Sequence, residues 1–185
     1  MIHIVGLGGV GFWLAVGLSR VVPLDQLHCW DNDTLAGGTG AARLPWGPAS
    51  TKKVDLLRGY LGMVCGDSVL PVFSDRRFSG LFGINKGDTI IDCTDMPLAT
   101  RKRMWAISRN KGASILRVSY DGRGSTVVVS TGLPLLAPPS GGYAAVPSLA
   151  LSFAAGGIGA EAVKRYLDKP VPSFTFGFSI EEAMK

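Results

Sequence analysis

The sequence predicts an α/β fold with a mainly parallel, Rossmann-like sheet, helices on both faces and an antiparallel hairpin towards the C-terminal end. Apolar runs of strand length alternate with helical segments along the 185 residues, and this alternation is typical of parallel sheets. With 46% apolar and 18% charged residues, the chain has the composition of a folded domain. Neither an internal repeat nor a linker is visible, so we expect one domain over 1–185.

The first half of the chain supplies three predicted strands and two predicted helices. The strands cover 2–8, 26–31 and 68–73, and Pro71 suggests that the third lies at an edge. The helices cover 9–20 and 50–63, the second with Ser50 or Thr51 as its N-cap. Between them, 31–50 is rich in glycine and proline and predicts a long, functional loop.

The second half continues the alternation. A buried strand over 88–95 ends at acidic residues, and a helix over 97–112 has Pro97 in its first turn. Strands over 113–122 and 125–132 are close enough to form a hairpin around DGRG. After a proline-rich crossing, we expect a long helix over 148–169 and a last strand over 172–179.

Charge and cysteine content limit the possible environments and partners. The net charge of +5 favours anionic ligands, but the basic residues are spread along the chain, so we expect no nucleic-acid partner. The odd number of cysteines, Cys29, Cys65 and Cys93, argues against a disulfide framework and for the cytoplasm. No positive charge precedes the first apolar run, and prolines interrupt 125–160, so we expect neither an export signal nor a membrane span.

A glycine motif follows the first predicted strand. Gly6, Gly8 and Gly11 form GxGxxG, with Gly9 inside it, between a strand and a helix. The first glycine permits a tight turn, the second lets a phosphate approach the backbone, and the third allows close helix–strand packing. The free N–H groups of the helix start favour an anion. The motif indicates a nucleotide, although an ordinary glycine-rich turn has the same pattern.

Three carboxylates refine the choice of nucleotide. Asp31 ends the second strand, where it can accept hydrogen bonds from a ribose diol. Asp33 follows it closely, and Asp95 ends another parallel strand at the same edge of the sheet. A plain NAD site does not need the last two, whereas a nucleoside triphosphate with Mg²⁺ does. The alternatives are a loop cap for Asp33 and a helix N-cap for Asp95.

Positive charge lies nearby. Arg43 is in the long loop, and Lys52 and Lys53 open the following helix. One or more of them could neutralise phosphate charge as it develops, and a solvated helix start is the alternative for each lysine.

At this point the ordered set of motifs resembles a known family. The segments VGLGGVG, HCWDND, RLPWGPASTKKVDLL and DTIIDCTDMPLATR are similar to those of the ThiF/MoeB/HesA family, the ubiquitin-activating-enzyme-like adenylyltransferases. The resemblance continues through YDGRGSTVVVSTG and GAEAVKRYL and so covers most of the chain.

The resemblance implies that the chain binds ATP and Mg²⁺ and adenylates the C-terminal glycine carboxylate of a ubiquitin-like or sulfur-carrier protein ending in Gly-Gly. It implies that Asp31 holds the ribose, that Asp33 lies near the phosphates and that Asp95 is the Mg²⁺ ligand. It also implies that Arg43 and Lys53 contact phosphate, and that the protein is a homodimer.

Some family features are missing from this chain. Met96 stands where the family usually has Asn, Arg43 aligns only with a shift of one residue, and the paired CxxC motifs of a zinc site are absent. No cysteine lies in the crossing over 131–147, so we expect adenylylation without thiol transfer. Two alternatives stay open: a degenerate subunit that binds a nucleotide or carrier without chemistry, and an NAD-dependent oxidoreductase. The second is disfavoured because no histidine follows His28.

Overall fold

The computed structural model describes residues 1–35, 44–45, 47–66, 69–120, 126–131 and 149–179. Seven strands and four α-helices alternate in these residues. The strands are β1 (Ile2–Val5), β2 (Leu27–Trp30), β3 (Val72–Ser74), β4 (Thr89–Asp92), β5 (Ser114–Tyr120), β6 (Thr126–Ser130) and β7 (Thr175–Ser179). The helices are α1 (Gly11–Leu18), α2 (Lys53–Cys65), α3 (Leu98–Asn110) and α4 (Leu149–Asp168), with a 3-10 turn at Leu24–Gln26.

The strands form one sheet in the order β3-β2-β1-β4-β5-β6-β7. The first five strands in this order are parallel to one another. β6 pairs antiparallel with β5, and β7 pairs antiparallel with β6, so the predicted mainly parallel α/β sheet is confirmed. The register pairs Val5 with both Trp30 and Asp92, which puts the last residues of β1, β2 and β4 in one row. The segments that follow these strands therefore leave the sheet side by side.

Helices cover both faces of the sheet, as predicted. One face packs buried apolar residues of α1, α2 and α4 against Ile4, Ile91 and Leu116. The other face is smaller and packs Met104 and Trp105 of α3 against Val5 and Trp30. The central strands are largely apolar on both sides because both sides are covered.

Glycine lets α1 and α4 approach each other. A Cβ at Gly156 would lie 2.3 Å from the Cβ of Trp13, and one at Gly17 would lie 2.7 Å from that of Ala160. Since such distances are far below van der Waals contact, a side chain at either position would separate the two helices. These two glycines therefore serve helix packing.

Element ends differ from the sequence predictions in several places. β4 ends at Asp92 instead of residue 95, because the chain turns there and Thr94 bonds back to the Asp92 carboxylate. The first helix begins at Gly11 instead of residue 9, and Pro97 is the N-cap of α3. The predicted hairpin is extended by β7, which pairs with β6. The turn between β5 and β6 and the proline-rich crossing lie outside the described residues.

Among the helices that the structure describes, none combines the length and apolar character that a membrane crossing requires.

Candidate functional site

The carboxyl ends of four neighbouring strands meet at one edge of the sheet. The N–H of Gly6 donates to the carbonyl of Trp30 at 2.9 Å, and the N–H of Cys93 donates to that of Val5 at 2.9 Å. The N–H of Asp31 donates to the carbonyl of Ser74 at 3.1 Å. The residues that follow β1, β2 and β4 are therefore tied to the neighbouring strand. In open parallel sheets this edge is where ligands bind.

The glycine turn between β1 and α1 is closed on one side and open on the other. Gly6 has a φ of +88°, and a Cβ there would lie 3.0 Å from the Cγ2 of Thr94. A Cβ at Gly11 would lie 1.8 Å from the carbonyl oxygen of Gly6. A Cβ at Gly8 would meet no atom within 4 Å, and Gly9 beside it is half-buried. The open side at Gly8 is the approach that a phosphate needs.

The first turn of α1 presents backbone amides at this open side. The N–H of Phe12 donates to the carbonyl of Gly8 at 3.1 Å, so the helical turn is already wound there. The amides ahead of it have no carbonyl in the preceding turn to bond. Together with the helix dipole, they favour a bound anion.

Asp31 is engaged by two backbone amides. Its Oδ2 accepts from the N–H of Leu7 at 2.6 Å, and its Oδ1 accepts from the N–H of Asp33 at 2.7 Å. Burial raises the pKa of Asp31, while Lys53 and the two amides act in the opposite direction. Since each carboxylate oxygen has two lone pairs, both can still accept a hydroxyl.

Lys53 lies between the two carboxylates of this loop. Its Nζ is 2.9 Å from Oδ2 of Asp33 and 3.7 Å from Oδ2 of Asp31. Its side chain is 17% exposed, whereas that of Asp33 is 63% exposed. The structure thus brings together the glycine turn, Asp31, Asp33 and Lys53, four of the features that the sequence singled out.

The long loop after β2 is closed at its base. Thr34 and Lys52 form an antiparallel bridge, and the N–H of Leu35 donates to the carbonyl of Thr51 at 2.8 Å. The N–H of Lys53 also donates to the carbonyl of Asp33 at 3.1 Å. These bonds hold Asp33 and Lys53 opposite each other. Arg43, the predicted phosphate contact of this loop, lies outside the described residues.

Asp95 is exposed and lies beyond the end of β4. It comes one residue after Thr94, whose side chain lies over Gly6, so it leaves the sheet beside the glycine turn. Within the described residues, no group of three His, Cys, Asp or Glu side chains could hold a metal ion. Mg²⁺ is commonly bound by one or two carboxylates together with substrate phosphates, and a single exposed aspartate fits that arrangement.

Sequence reasoning missed a buried network at the end of β4. Asp92 is 0% exposed, and its Oδ1 accepts from Nη1 of Arg117 at 3.0 Å and from the hydroxyl of Thr94 at 2.7 Å. Its Oδ2 accepts from Nε1 of Trp105 at 2.9 Å. The network fixes the path of Cys93 and Thr94 past the glycine turn. An arginine in the apolar run SILRVSY was the signal that could have revealed it.

The sequence also did not reveal a pocket of about 180 Å³ beside the ends of β2 and β3. Trp30 and Ser74 line it together with residues of the segment after β3, where Nη2 of Arg77 is 3.7 Å from Sδ of Met96. The lining residues are Trp30, Ser74, Arg76, Arg77, Phe78, Ser79 and Phe82. An aromatic pocket with two guanidinium groups suits a flat, electron-rich ligand.

Cys93 lies against the glycine turn but is a poor nucleophile. Burial raises the pKa of its thiol to about 12, as it does for Cys29. Because the thiolate is the reactive form, neither thiol suits covalent transfer near neutral pH.

Comparison with known proteins places this fold beside several solved structures. Escherichia coli MccB, solved with AMPCPP and MccA, has a TM-score of 0.67 and 12% identity, covering 96% of this chain and 63% of that one. PaaA has a TM-score of 0.65 and 14% identity, covering 98% and 61%. HcgE from Methanothermobacter marburgensis, bound to guanylylpyridinol and ATP, has a TM-score of 0.62 and 14% identity, covering 90% and 95%.

No protein-family model matches the chain, and no curated protein matches it significantly. The chain spans about three fifths of the length of MccB and PaaA. At 12–14% identity, these similarities show a shared Rossmann-like fold.

Proposed function

We propose that this chain is an ATP-dependent adenylyltransferase of the ThiF/MoeB type, which activates the C-terminal carboxylate of a small carrier protein or peptide. One observation carries the proposal: the open side of the glycine turn at Gly8 lies next to a carboxylate and a lysine held at the end of β2. Asp31 joins the two, because it bonds to the N–H of Leu7 in the turn and faces Lys53.

In this proposal the triphosphate lies at the start of α1. Gly8 leaves room for it, and the helix amides and dipole stabilise its charge. The ribose then reaches Asp31, whose oxygens have lone pairs left for a diol. Beyond the ribose, the base reaches the pocket formed by Trp30 and the segment after β3. Guanidinium and aromatic groups there would stack on a purine.

Lys53 is the residue that would change partners. Its ion pair with Asp33 is solvent-exposed on the Asp33 side, and exposed pairs contribute about 1 kcal/mol or less. A phosphate close by would compete effectively for the lysine, since it carries more charge than one carboxylate. Lys53 would then offset the charge that develops as the attacking carboxylate bonds to the α-phosphorus and pyrophosphate leaves.

Asp95 would hold Mg²⁺ jointly with the phosphates. The ion would supply charge neutralisation at the triphosphate, as metal ions do in phosphoryl and nucleotidyl transfer. The Asp92 carboxylate accepts bonds from Thr94 and so fixes the chain where it passes the glycine turn. The next residue, Asp95, would thereby present its carboxylate beside that turn.

The comparisons support the nucleotide and a polypeptide partner. MccB has been solved with ATP and with MccA, and HcgE has been solved with ATP. A carrier ending in Gly-Gly, a single domain over 1–185 and a homodimer complete the proposal, as the ThiF/MoeB resemblance implies.

Pyrophosphate exchange into ATP tests the reaction. The assay combines the protein, Mg²⁺ and a candidate carrier ending in Gly-Gly, and exchange should depend on the carrier. Lys53→Ala should lower the exchange rate at least tenfold by removing the phosphate contact. Lys52→Ala is the matched control at the same helix start and should retain most of the activity. Equal losses in both variants would argue against the role given to Lys53.

A binding subunit without chemistry is the second candidate. It is favoured by one observation: Lys53 is already paired with two carboxylates. This candidate predicts ATP binding without exchange for every carrier tested. Preference for NADH over ATP in a competition titration would instead support an oxidoreductase.

A further inference from the structure

The side chain of Trp30 is fixed by a buried hydrogen bond to His3 on the neighbouring strand. We infer that His3 is a positioning residue for the nucleobase, acting through Trp30, which lines the pocket. The inference rests on the ATP site proposed above. Among the residues that the structure describes, His3 meets the pocket lining through its hydrogen bond to Trp30 and a ring contact with Phe78.

The contacts of His3 define its tautomer. Its Nδ1 accepts from Nε1 of Trp30 at 3.1 Å, so the ring proton must reside on Nε2. Nε2 then donates to Oδ2 of Asp88 at 3.2 Å, and the same oxygen accepts from the N–H of Asn85 at 2.7 Å. His3 is 1% exposed, and burial lowers its pKa. The neutral ring is therefore a dedicated acceptor for the indole.

Two further rings pack against the indole of Trp30, one on its face and one edge-on. His28 stacks on it with centroids 4.1 Å apart and an interplanar angle of 21°. Phe78 meets it edge-on at 5.2 Å. Nε2 of His28 is in turn 2.8 Å from the hydroxyl of Ser74, which also lines the pocket. The surface that a base would meet is thus built before the ligand arrives.

A prebuilt aromatic surface matters for the base and not for the phosphates. The phosphate site at Gly8 belongs to the β1–α1 turn, whereas the pocket lies at the ends of β2 and β3. Releasing the indole should therefore weaken ligands that carry a base and spare those that carry only phosphates. A merely structural role for His3 would weaken both classes together.

Titration calorimetry with ATP and with inorganic tripolyphosphate tests the inference. His3→Leu removes the acceptor and should weaken ATP about tenfold, with tripolyphosphate changed less than about twofold. His3→Asn places an amide oxygen near the position of Nδ1 and should restore most of the lost ATP affinity. Trp30→Phe leaves the His3–Asp88 pair intact and should reproduce the ATP-specific loss, which covers the case of His3→Leu failing to fold.

The outcomes separate the two proposals. Wild-type protein that binds neither ligand would overturn the ATP site and this inference with it. Wild-type protein that binds ATP, with variants that lose both ligands equally or lose neither, would overturn only the role of His3.

Discussion

The carboxylate of Asp31 accepts the backbone N–H of Leu7 at 2.6 Å and so links the end of β2 to the glycine turn after β1. A second bond, from the N–H of Asp33 to the other oxygen, shapes the start of the long loop. One side chain therefore orders both segments that a nucleotide would touch. The same two oxygens would then receive the ribose.

Asp31→Asn should damage both stability and nucleotide binding. An amide has only one acceptor oxygen, so one of the two N–H donors loses its partner, at a cost of roughly 1–3 kcal/mol. Urea unfolding and ATP titration measure the two effects. For the unfolding measurement Asp33→Asn is the control, because the Asp33 side chain is largely exposed and pairs only with Lys53 among the described contacts. If Asp31→Asn unfolds at the wild-type urea concentration, the ordering role of Asp31 is wrong.

Two glycine-to-alanine changes in the same turn should affect different properties, one the stability of the fold and the other the affinity for ATP. Gly11→Ala places a methyl group 1.8 Å from the carbonyl of Gly6 and should cost at least the ~1–3 kcal/mol typical of overpacking. Gly8→Ala meets no atom and should leave the melting temperature within a few degrees of wild type. Its methyl group would instead fill the phosphate approach and weaken ATP roughly tenfold to a hundredfold. Unchanged ATP affinity in Gly8→Ala would place the phosphates elsewhere.

The Asp92–Arg117 pair predicts a strong, non-additive effect on stability. Arg117 is 9% exposed on its side chain and Asp92 is 0% exposed, so removing one charge leaves the other buried without its partner. Asp92→Asn should cost about 3–5 kcal/mol. Arg117→Met should cost less, because Asp92 keeps its bonds from Thr94 and Trp105. A double-mutant cycle by urea unfolding measures the coupling, and additive losses would mean that the two charges do not interact.

His28 should make stability depend on pH below neutrality. Burial lowers its pKa to about 4, against about 6.5 when unfolded. Between these values the unfolded chain binds more protons, so the free energy of unfolding should fall as the pH drops from 6.5 to 4. Protonation of His28 alone can lower the free energy of unfolding by at most about 3 kcal/mol. His28→Phe keeps a ring on Trp30 without a titrating group, so its unfolding free energy should vary less over that range. The same pH dependence of the unfolding free energy in the wild type and in His28→Phe would contradict this role of His28.

Much of the fold and part of the site could be read from the sequence. Strand–helix alternation predicted the parallel sheet, since the middle residues of buried strands such as TIID are apolar on both faces. The glycine turn, Asp31, Asp33 and Lys53 were found because turn chemistry and strand ends are local signals. Parallel topology brings Asp31 beside the glycine turn, whereas Lys53 reaches Asp33 through the bridge between Thr34 and Lys52.

Other parts depended on contacts between distant segments. Asp92 looked like one more buried strand position until Arg117, 25 residues later, provided its counterion. His3 and His28 lie in separate apolar strands, and nothing local shows that both touch Trp30. The pocket after β3 is lined by a segment without helix or strand. Such a segment has no helical or strand repeat of apolar residues from which its position could be predicted.

The bridge between Thr34 and Lys52 has a consequence for how this chain can change. It pairs the two residues that precede and follow the long loop after β2, directly beside the ion pair of Asp33 and Lys53. Doubling the length of a flexible loop costs only about 0.6 kcal/mol in closure entropy. Insertions between Thr34 and Lys52 should therefore cost little while the bridge keeps Asp33 and Lys53 in place, so the loop offers a position at which new specificity could be added to an unchanged framework.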